Sequence, residues 1–276
     1  MFAVCSHKYD TDLTDEQWKI VENYIPLPGF GGRPCTTDFR RVLDGIFYFV
    51  KAGCPWRLLP GDFPPWQTVH RYFLEWTRSG VWRKIHLALV KKARVLLGRE
   101  EKPTAVVIDS QSVKTGKVVP IATRGYDGGK KVKGRKRHMA TDTQGILLDV
   151  SVTPANVHDT KGALITLRKI ARREGDNQIG IVFADKGYQG DILAKWVEEN
   201  LGAEMQIGNN RTTPDGFVPD KKRWVVERSF SWIEDYNRLS KDRERLPSSS
   251  LAYVRIAFIR ILLRRLTPTV REWKTA

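Results

Sequence analysis

The hydrophobic period of this chain changes near residue 102, and that change limits what each part can fold into. Before it, apolar residues return every three or four positions, the spacing of amphipathic helices. "LTDEQWKIVENYI" carries Thr14 as an N-cap with Gln17 three residues on, a capping-box spacing, and Trp18, Val21, Tyr24 and Ile25 form a stripe that Pro26 and Pro28 end. "TTDFRRVLDGIFYFVKAG" is a second helix, stopped by Gly53 and Pro55. In the third, "PPWQTVHRYFLEWTRSG", Val69, Phe73 and Trp76 share one face while Gln67, His70, Arg71 and Glu75 lie mostly elsewhere. "VWRKIHLALVKKARVLLG" is a fourth.

Beyond residue 102 the pattern alternates. "TAVVIDSQSV" reads as a buried strand, followed by a glycine-rich, basic connection. "RKRHMATD" and "ILLDVSVTP" read as two strands of a hairpin about "TQG". A helix over "DTKGALITLRKIARREG", a strand at "QIGIVFAD", a helix over "QGDILAKWVEENLG" and a strand at "AEMQIG" come next, and two helices end the chain. The order predicts an α/β fold, a ribonuclease-H-like mixed sheet flanked by helices. The expected division is an all-α, helix-turn-helix-like domain over residues 1–100 and an α/β domain over 101–276.

Charge narrows the partner. The formal net charge is +16 over 276 residues, which repels itself in a compact chain and favours a polyanion, nucleic acid above all. No apolar run approaches the roughly 18 residues of a membrane span, and the N-terminus lacks the plan of a secretory signal. Cys5, Cys35 and Cys54 are scattered and odd in number, so neither a disulfide framework nor a zinc knuckle is predicted. A reduced, cytoplasmic protein is the expectation.

Three acids stand out. Asp109 ends the run "AVVI" and Asp185 ends "GIVFA"; a carboxylate at the tip of a buried strand needs a partner or a cation. Glu227 lies in "KKRWVVERSFSWIEDYNRLSKDRERL". At about 100° per residue, Arg223, Ser231, Glu234 and Arg238 fall within about 40° of Glu227. Val225, Trp232, Ile233, Tyr236 and Leu239 fall opposite. A solvated, salt-bridged helix face has the same pattern, so this segment alone leaves both readings open.

The segments "VVIDSQSVKTG", "GRKRHMATDTQGILLDVSVTPANVHD", "ADKGYQG" and "RWVVERSFSWIEDYNRLSKD" resemble the DDE transposases of bacterial insertion sequences, of the insertion-sequence-5 group. The resemblance implies that Asp109, Asp185 and Glu227 are the catalytic, metal-binding acids. It also implies two Mg²⁺ ions, with Mn²⁺ able to substitute, cleavage at the element's ends and strand transfer into target DNA. Arg223 matches the arginine of the superfamily's tyrosine-arginine-glutamate-lysine signature. Asp220 stands at the tyrosine position and Glu234 at the lysine position, where Arg238 or Lys241 could supply the charge. The implied partners are double-stranded DNA, as terminal inverted repeats and target, and a second copy of the chain in a synaptic homodimer.

Other residues are read beside these. Lys131, Lys133, Arg135, Lys136 and Arg137 are expected to contact phosphates, with a solvated strand edge as the alternative. Gln67 and Arg71 on the third helix are candidate DNA contacts. His158 and Asp159 are expected to cap a helix, not to form a metal pair. Asp142 is expected in a turn, Asp149 on a strand surface, His138 near phosphate, and Lys186 and Gly187 in a turn beside Asp185. Trp224 is expected in the core, with base stacking as the alternative. No P-loop, dinucleotide fingerprint, GxSxG or HExxH occurs, which argues against nucleotide-driven or serine chemistry. A nuclease that cuts without joining, and a regulator with a decayed site, are the competing functions.

Overall fold

A computed structural model describes residues 9–26, 35–173, 178–208, 211–213, 216–218 and 224–268. Four helices come first: α1 (Asp15–Val21), α2 (Phe39–Ala52), α3 (Trp66–Arg78) and α4 (Val81–Leu96). Then follow β1 (Ala105–Lys114), β2 (Gly125–Asp127), β3 (Val132–Thr141), β4 (Leu147–Pro154), α5 (Asp159–Ala171) and β5 (Ile181–Ala184). After these come α6 (Asp191–Leu201), β6 (Glu204–Ile207), the short paired strands β7 (Arg211–Thr213) and β8 (Gly216–Val218), α7 (Trp224–Glu234), α8 (Asn237–Ser240) and α9 (Pro247–Leu266). No described helix is long and apolar enough to cross a membrane.

The chain divides into two compact units. The first takes residues up to Ala93, Tyr236–Leu239 and residues from Ala252 onward. Its helices form where the sequence predicts. The Thr14 capping box is complete, with Gln17 N–H donating to Thr14 Oγ1 at 3.2 Å and Thr14 N–H to Gln17 Oε1 at 3.3 Å. The core joins Val42, Ile46, Phe49 and Val50 of α2, Val69, Phe73 and Trp76 of α3, Trp82 and Ile85 of α4, and Phe258 and Ile259 of α9. Phe49 stacks on Trp56 at 3.6 Å, and Phe73 on Tyr253 at 4.6 Å. That stacking carries the C-terminal helix into the helical unit, a departure from the sequence division at residue 100. A helix with apolar residues on most sides needs a core around it, and Tyr253 finds its ring partners in α2 and α3.

The second unit, Arg94–Asp235 with Ser240–Leu251, holds a six-stranded mixed sheet. Its main order is β2-β3-β1-β5-β6. β3 is antiparallel to β1, with β2 along its first three residues and β4 along the rest. β5 is parallel to β1, and β6 parallel to β5. Four strands in antiparallel pairs, β1 to β4, continued by two parallel ones, β5 and β6, with α5 and α7 packed on the sheet, form the predicted ribonuclease-H-like fold. The β3–β4 hairpin turns on Asp142, whose Oδ1 accepts from Gln144 and Ile146 N–H at 2.8 and 2.9 Å. Arg94 pairs with the same carboxylate. β2 escaped the sequence reading: three residues inside a glycine-rich connection are too few to show a period.

Candidate active site

Strand register builds the site. β1 and β5 pair as Ala105↔Ile181, Val106↔Val182 and Val107↔Phe183. Asp109 stands two residues after Val107 on β1, and Asp185, in extended dihedrals (φ −86°, ψ 178°), two residues after Phe183. Paired residues of parallel strands present the same face, and neighbouring strands lie about 4.8 Å apart. Both carboxylates are half-buried. Asp109 Oδ1 accepts from Ser110 N–H at 2.7 Å, and Asp185 Oδ1 from Gly187 N–H at 2.9 Å.

Alternation along β1 identifies that face. Ser110 and Ser112 point one way, to Asp159 at 2.8 Å and Asp127 at 2.5 Å. Gln111 points the other way, its amide donating to Glu234 of α7 at 3.2 Å. Asp109 has the parity of Gln111 and therefore lies on the α7 side. Glu227 occupies the first turn of α7, exposed, while Val226, Ser229, Phe230 and Ile233 are buried. Ser229 and Arg228 fix the helix start by donating to the carbonyls of Gly145 (2.8 Å) and Gln144 (3.1 Å). Gly145 sits at φ +80°, where a side chain would also strike Ser229 and Trp232.

The arrangement thus leaves Asp109 and Asp185 each two residues past the last β1–β5 pair, and Glu227 on the helix packed against β1 and β3. Oxygen donors of this kind suit a hard divalent cation. Among the described residues, no group of three His, Cys, Asp or Glu side chains stands in place to hold a metal ion. The carboxylates of Asp109, Asp185 and Glu227 are donors of the type such a cation takes.

The basic run changes meaning. Lys131 and Lys133 are exposed, but Arg135, Lys136 and Arg137 are 0%, 5% and 2% exposed, so the expectation that they meet phosphates is corrected. Arg135 donates to both Asp242 oxygens at 3.2 Å, to the Glu244 and Arg245 carbonyls at 2.8 and 3.2 Å, and to Thr123 O and Oγ1 at 3.0 and 2.7 Å. Lys136 lies between Asp159 (3.0 Å) and Asp127 (3.4 Å). Arg137 donates to Gln111 Oε1 at 3.3 Å. β3 is an inner strand with a neighbour on each edge, so the side chains of Arg135, Lys136 and Arg137 run along protein, the first two ending on carboxylates and the third on an amide. Although burial opposes their charge, hydrogen bonds hold both acids low: Ser112, Lys130 N–H and Lys136 bring Asp127 to about 2, and Lys136 and Ser110 lower Asp159.

Other expectations divide. His158 caps α5, its ring nitrogen meeting Thr160 Oγ1 at 2.8 Å, as predicted. Asp149 is buried on Arg173 at 2.9 Å instead of lying on a strand surface. His138 is buried against Thr153 at 2.9 Å, and burial pushes its pKa down to about 4, which makes it a neutral core residue. Trp224 is 51% exposed, with the Arg228 guanidinium 5.1 Å from its ring, so it is not a core residue. α7 ends at Glu234; Arg238 falls in α8, in the helical unit, its guanidinium over Phe49 at 4.6 Å and Tyr253 at 5.7 Å. It therefore does not continue the Glu227 stripe. Lys241 is exposed, and Arg223 lies outside the described residues. Gln67 and Arg71 are exposed one turn apart on α3, lining a shallow groove with His70, Glu75 and Arg78. Tyr188, expected with Gln189 to lead into the next helix, instead closes the turn Lys186–Tyr188, and α6 begins at Asp191. Sequence reasoning passed over Ser110.

Residues 100–262 match the family described as "Transposase DDE domain", and residues 13–86 match "Putative transposase of IS4/5 family (DUF4096)". The chain is 30% identical over 128 residues to "Putative transposase for insertion sequence element IS402" of Burkholderia cepacia, covering 45% of this chain and 60% of that protein. It is 29% identical over 133 residues to "Putative transposase for insertion sequence element IS6501" of Brucella ovis, covering 47% and 98%. With "Transposase for insertion sequence element IS1106" of Neisseria meningitidis serogroup B it shares 26% over 168 residues, 54% of each. More than half of the chain matches one family, on the sheet and helix that carry the acid pair and Glu227, and the chain belongs to the DDE transposases of insertion sequences.

Proposed function

We propose that this protein cleaves DNA at the ends of an insertion sequence and joins the freed ends to target DNA. The observation that supports the reading is the parallel β1–β5 register, which runs to Val107↔Phe183 and leaves Asp109 and Asp185 two residues further along on neighbouring strands, with Gln111 of β1 meeting Glu234 of α7. In the first step a water oxygen attacks a phosphodiester phosphorus, the P–O3′ bond breaks and a 3′-hydroxyl is released. In the second that 3′-hydroxyl attacks a target phosphodiester, a new P–O3′ bond forms and the target's own 3′-oxygen leaves. Two Mg²⁺ ions, for which Mn²⁺ may be exchanged, would supply Lewis acidity to both displacements. Asp109, Asp185 and Glu227 would hold them. The side chains of this chain otherwise orient and screen the DNA: Lys131, Lys133 and Lys241 bind phosphates, Arg223 positions one by charge-assisted hydrogen bonds, and exposed Trp224 offers a face for base stacking.

The helical unit supports a reading role. Gln67 and Arg71, exposed one turn apart, can reach base edges or phosphates from α3. On this reading residues 1–100 bind terminal inverted repeats, and residues 101–276 carry the chemistry, with α9 lent to the helical unit. Two ends must be joined, so the working form is a synaptic homodimer on double-stranded DNA, acting in the cytoplasm.

The test uses pre-cut DNA ends bearing a 3′-hydroxyl, with Asp109→Asn, Asp185→Asn and Glu227→Gln. Each variant is expected to bind DNA, fold normally and lose joining by at least about a thousandfold, as removal of catalytic groups does elsewhere. If all three still join, the assignment is wrong. If the wild type cuts ends and never joins them, the protein is a nuclease of the same fold.

A further inference from the structure

Helix α3 buries Val69, Tyr72, Phe73 and Trp76 and leaves Gln67, Arg71, Glu75 and Arg78 exposed. Gln67, Arg71 and Glu75 recur every fourth residue, so they follow one another along one stripe at about 6 Å per step. The stripe borders a shallow groove that Trp66, His70 and Leu74 also line. Arg71 and Glu75 stand at the spacing at which opposite charges pair on a helix surface. Here the Arg71 guanidinium lies over the Tyr72 ring instead, 4.3 Å from its centroid. Among the described residues no carboxylate pairs with Arg71, and no cation pairs with Glu75.

Tyr72 is itself fixed. It is 8% exposed, and its ring meets Phe39 edge-on at 5.2 Å and Trp76 at 5.6 Å. A buried ring therefore seats an exposed guanidinium. A cation resting on an aromatic face is held by the ring's quadrupole, so it gives up less freedom on binding than one extended into water. Its neighbours decide what it suits. A phosphate carries a full negative charge, which the Glu75 carboxylate one turn away opposes. Base edges in the major groove are neutral. Guanine offers O6 and N7 to two N–H groups of an arginine, cytosine offers its amino group to a glutamate, and adenine bonds a glutamine twice. Gln67, Arg71 and Glu75 are three such readers on one stripe. Exposed Arg57, its guanidinium 5.8 Å from the Trp66 ring at the start of α3, and exposed Arg78 at its last turn stand at the two ends, where phosphates would lie.

We propose that Arg71 is a specificity-determining residue: from its seat on Tyr72 it donates to O6 and N7 of a guanine in the major groove of duplex DNA. This rests on the reading of the helical unit as the part that binds the element's ends. Arg71 adds discrimination between sequences, not general affinity, so its loss should relax one base position and leave the salt dependence of binding as it was.

The experiment lets the full chain select duplexes from a pool randomised over about 20 base pairs, two turns of DNA, and sequences those retained. Each G·C pair of the selected motif is then changed to A·T, and binding is measured for the wild type and Arg71→Ala across salt concentrations. Folding is checked by circular dichroism. At one G·C position the wild type is expected to discriminate about ten- to a hundredfold, and Arg71→Ala hardly at all, with an unchanged log–log salt slope. Should Arg71→Ala fail to fold, Arg71→Met keeps the aliphatic stem and answers the same question. If the variant keeps the wild type's discrimination at every G·C position, the proposal is overturned; a slope lower by about 0.9 would then make Arg71 a phosphate contact. If the wild type binds duplexes and selects no motif, base reading falls while DNA binding stands. If it binds no duplex, the reading of the helical unit falls and the proposal with it. None of these outcomes bears on Asp109, Asp185 and Glu227, which the joining assay tests separately.

Discussion

Replacing Arg135 should destabilise the sheet unit without touching the salt dependence of DNA binding. In the structure its guanidinium is fully buried and makes six hydrogen bonds to Asp242, Glu244, Arg245 and Thr123. Those bonds cannot be summed, because the unfolded guanidinium bonds to water instead. The cost of Arg135→Ala is set by what stays behind, the Asp242 carboxylate, itself 2% exposed. Breaking a buried ion pair from one side costs about 3–5 kcal/mol. Asp242 retains Ser250 Oγ at 2.6 Å and the Glu244 N–H at 2.9 Å, which places the expected loss near the lower end, about 3 kcal/mol. Urea unfolding of the full chain, followed by circular dichroism, measures it. Arg135→Met with Asp242→Leu removes both charges and should recover part of the loss, because no carboxylate is then stranded. In parallel, DNA binding is measured across salt concentrations. A stable Arg135→Ala protein whose log–log salt slope falls by about 0.9, the value for one phosphate contact, would refute this reasoning and restore the phosphate role.

Lys131→Ala and Lys133→Ala should do the reverse, leaving urea midpoints unchanged while each reduces the salt slope by about 0.9; unchanged slopes would remove this edge from the DNA interface. Gly162→Ala should lower the melting temperature of the sheet unit, because a Cβ there would lie 2.0–2.2 Å from the His138 ring, which Thr153 holds in place. Overpacking of this kind costs about 1–3 kcal/mol, and a melting temperature equal to the wild type's would show that the ring yields. Asp44 provides a pH test. Burial, with Asp12 sharing its Arg41 partner, raises its pKa from 3.8 to about 6. Between about pH 4 and 6 the folded chain keeps a proton that the unfolded chain has lost, so stability falls as pH rises through that window, by about 3 kcal/mol in all. Asp44→Asn should flatten this slope in urea unfolding; a slope left intact would assign it to another group.

The sequence determined the elements that local chemistry dictates. Thr14 and Gln17 cap a helix through contacts three residues apart, Asp142 closes a hairpin by accepting from the N–H groups of Gln144 and Ile146, and a β-branched run ending in an acid puts Asp185 at the end of β5; Asp109, expected at a strand tip as well, lies mid-strand, because β1 runs on through polar residues to Lys114. Each depends on neighbours along the chain, so each is written in a short window. Tertiary structure decided what depends on partners far apart in sequence. The basic run of β3 reads as a phosphate ladder until β1 and β4 close on both its edges; Asp242 and Asp159 then claim Arg135 and Lys136. Helical phase extended from Glu227 reaches Arg238 only if the helix continues, and it stops at Glu234. How near Asp109 and Asp185 come to one another depends on the register of two parallel strands, which no spacing of residues encodes, because parallel strands are joined by a crossover whose length leaves their alignment free.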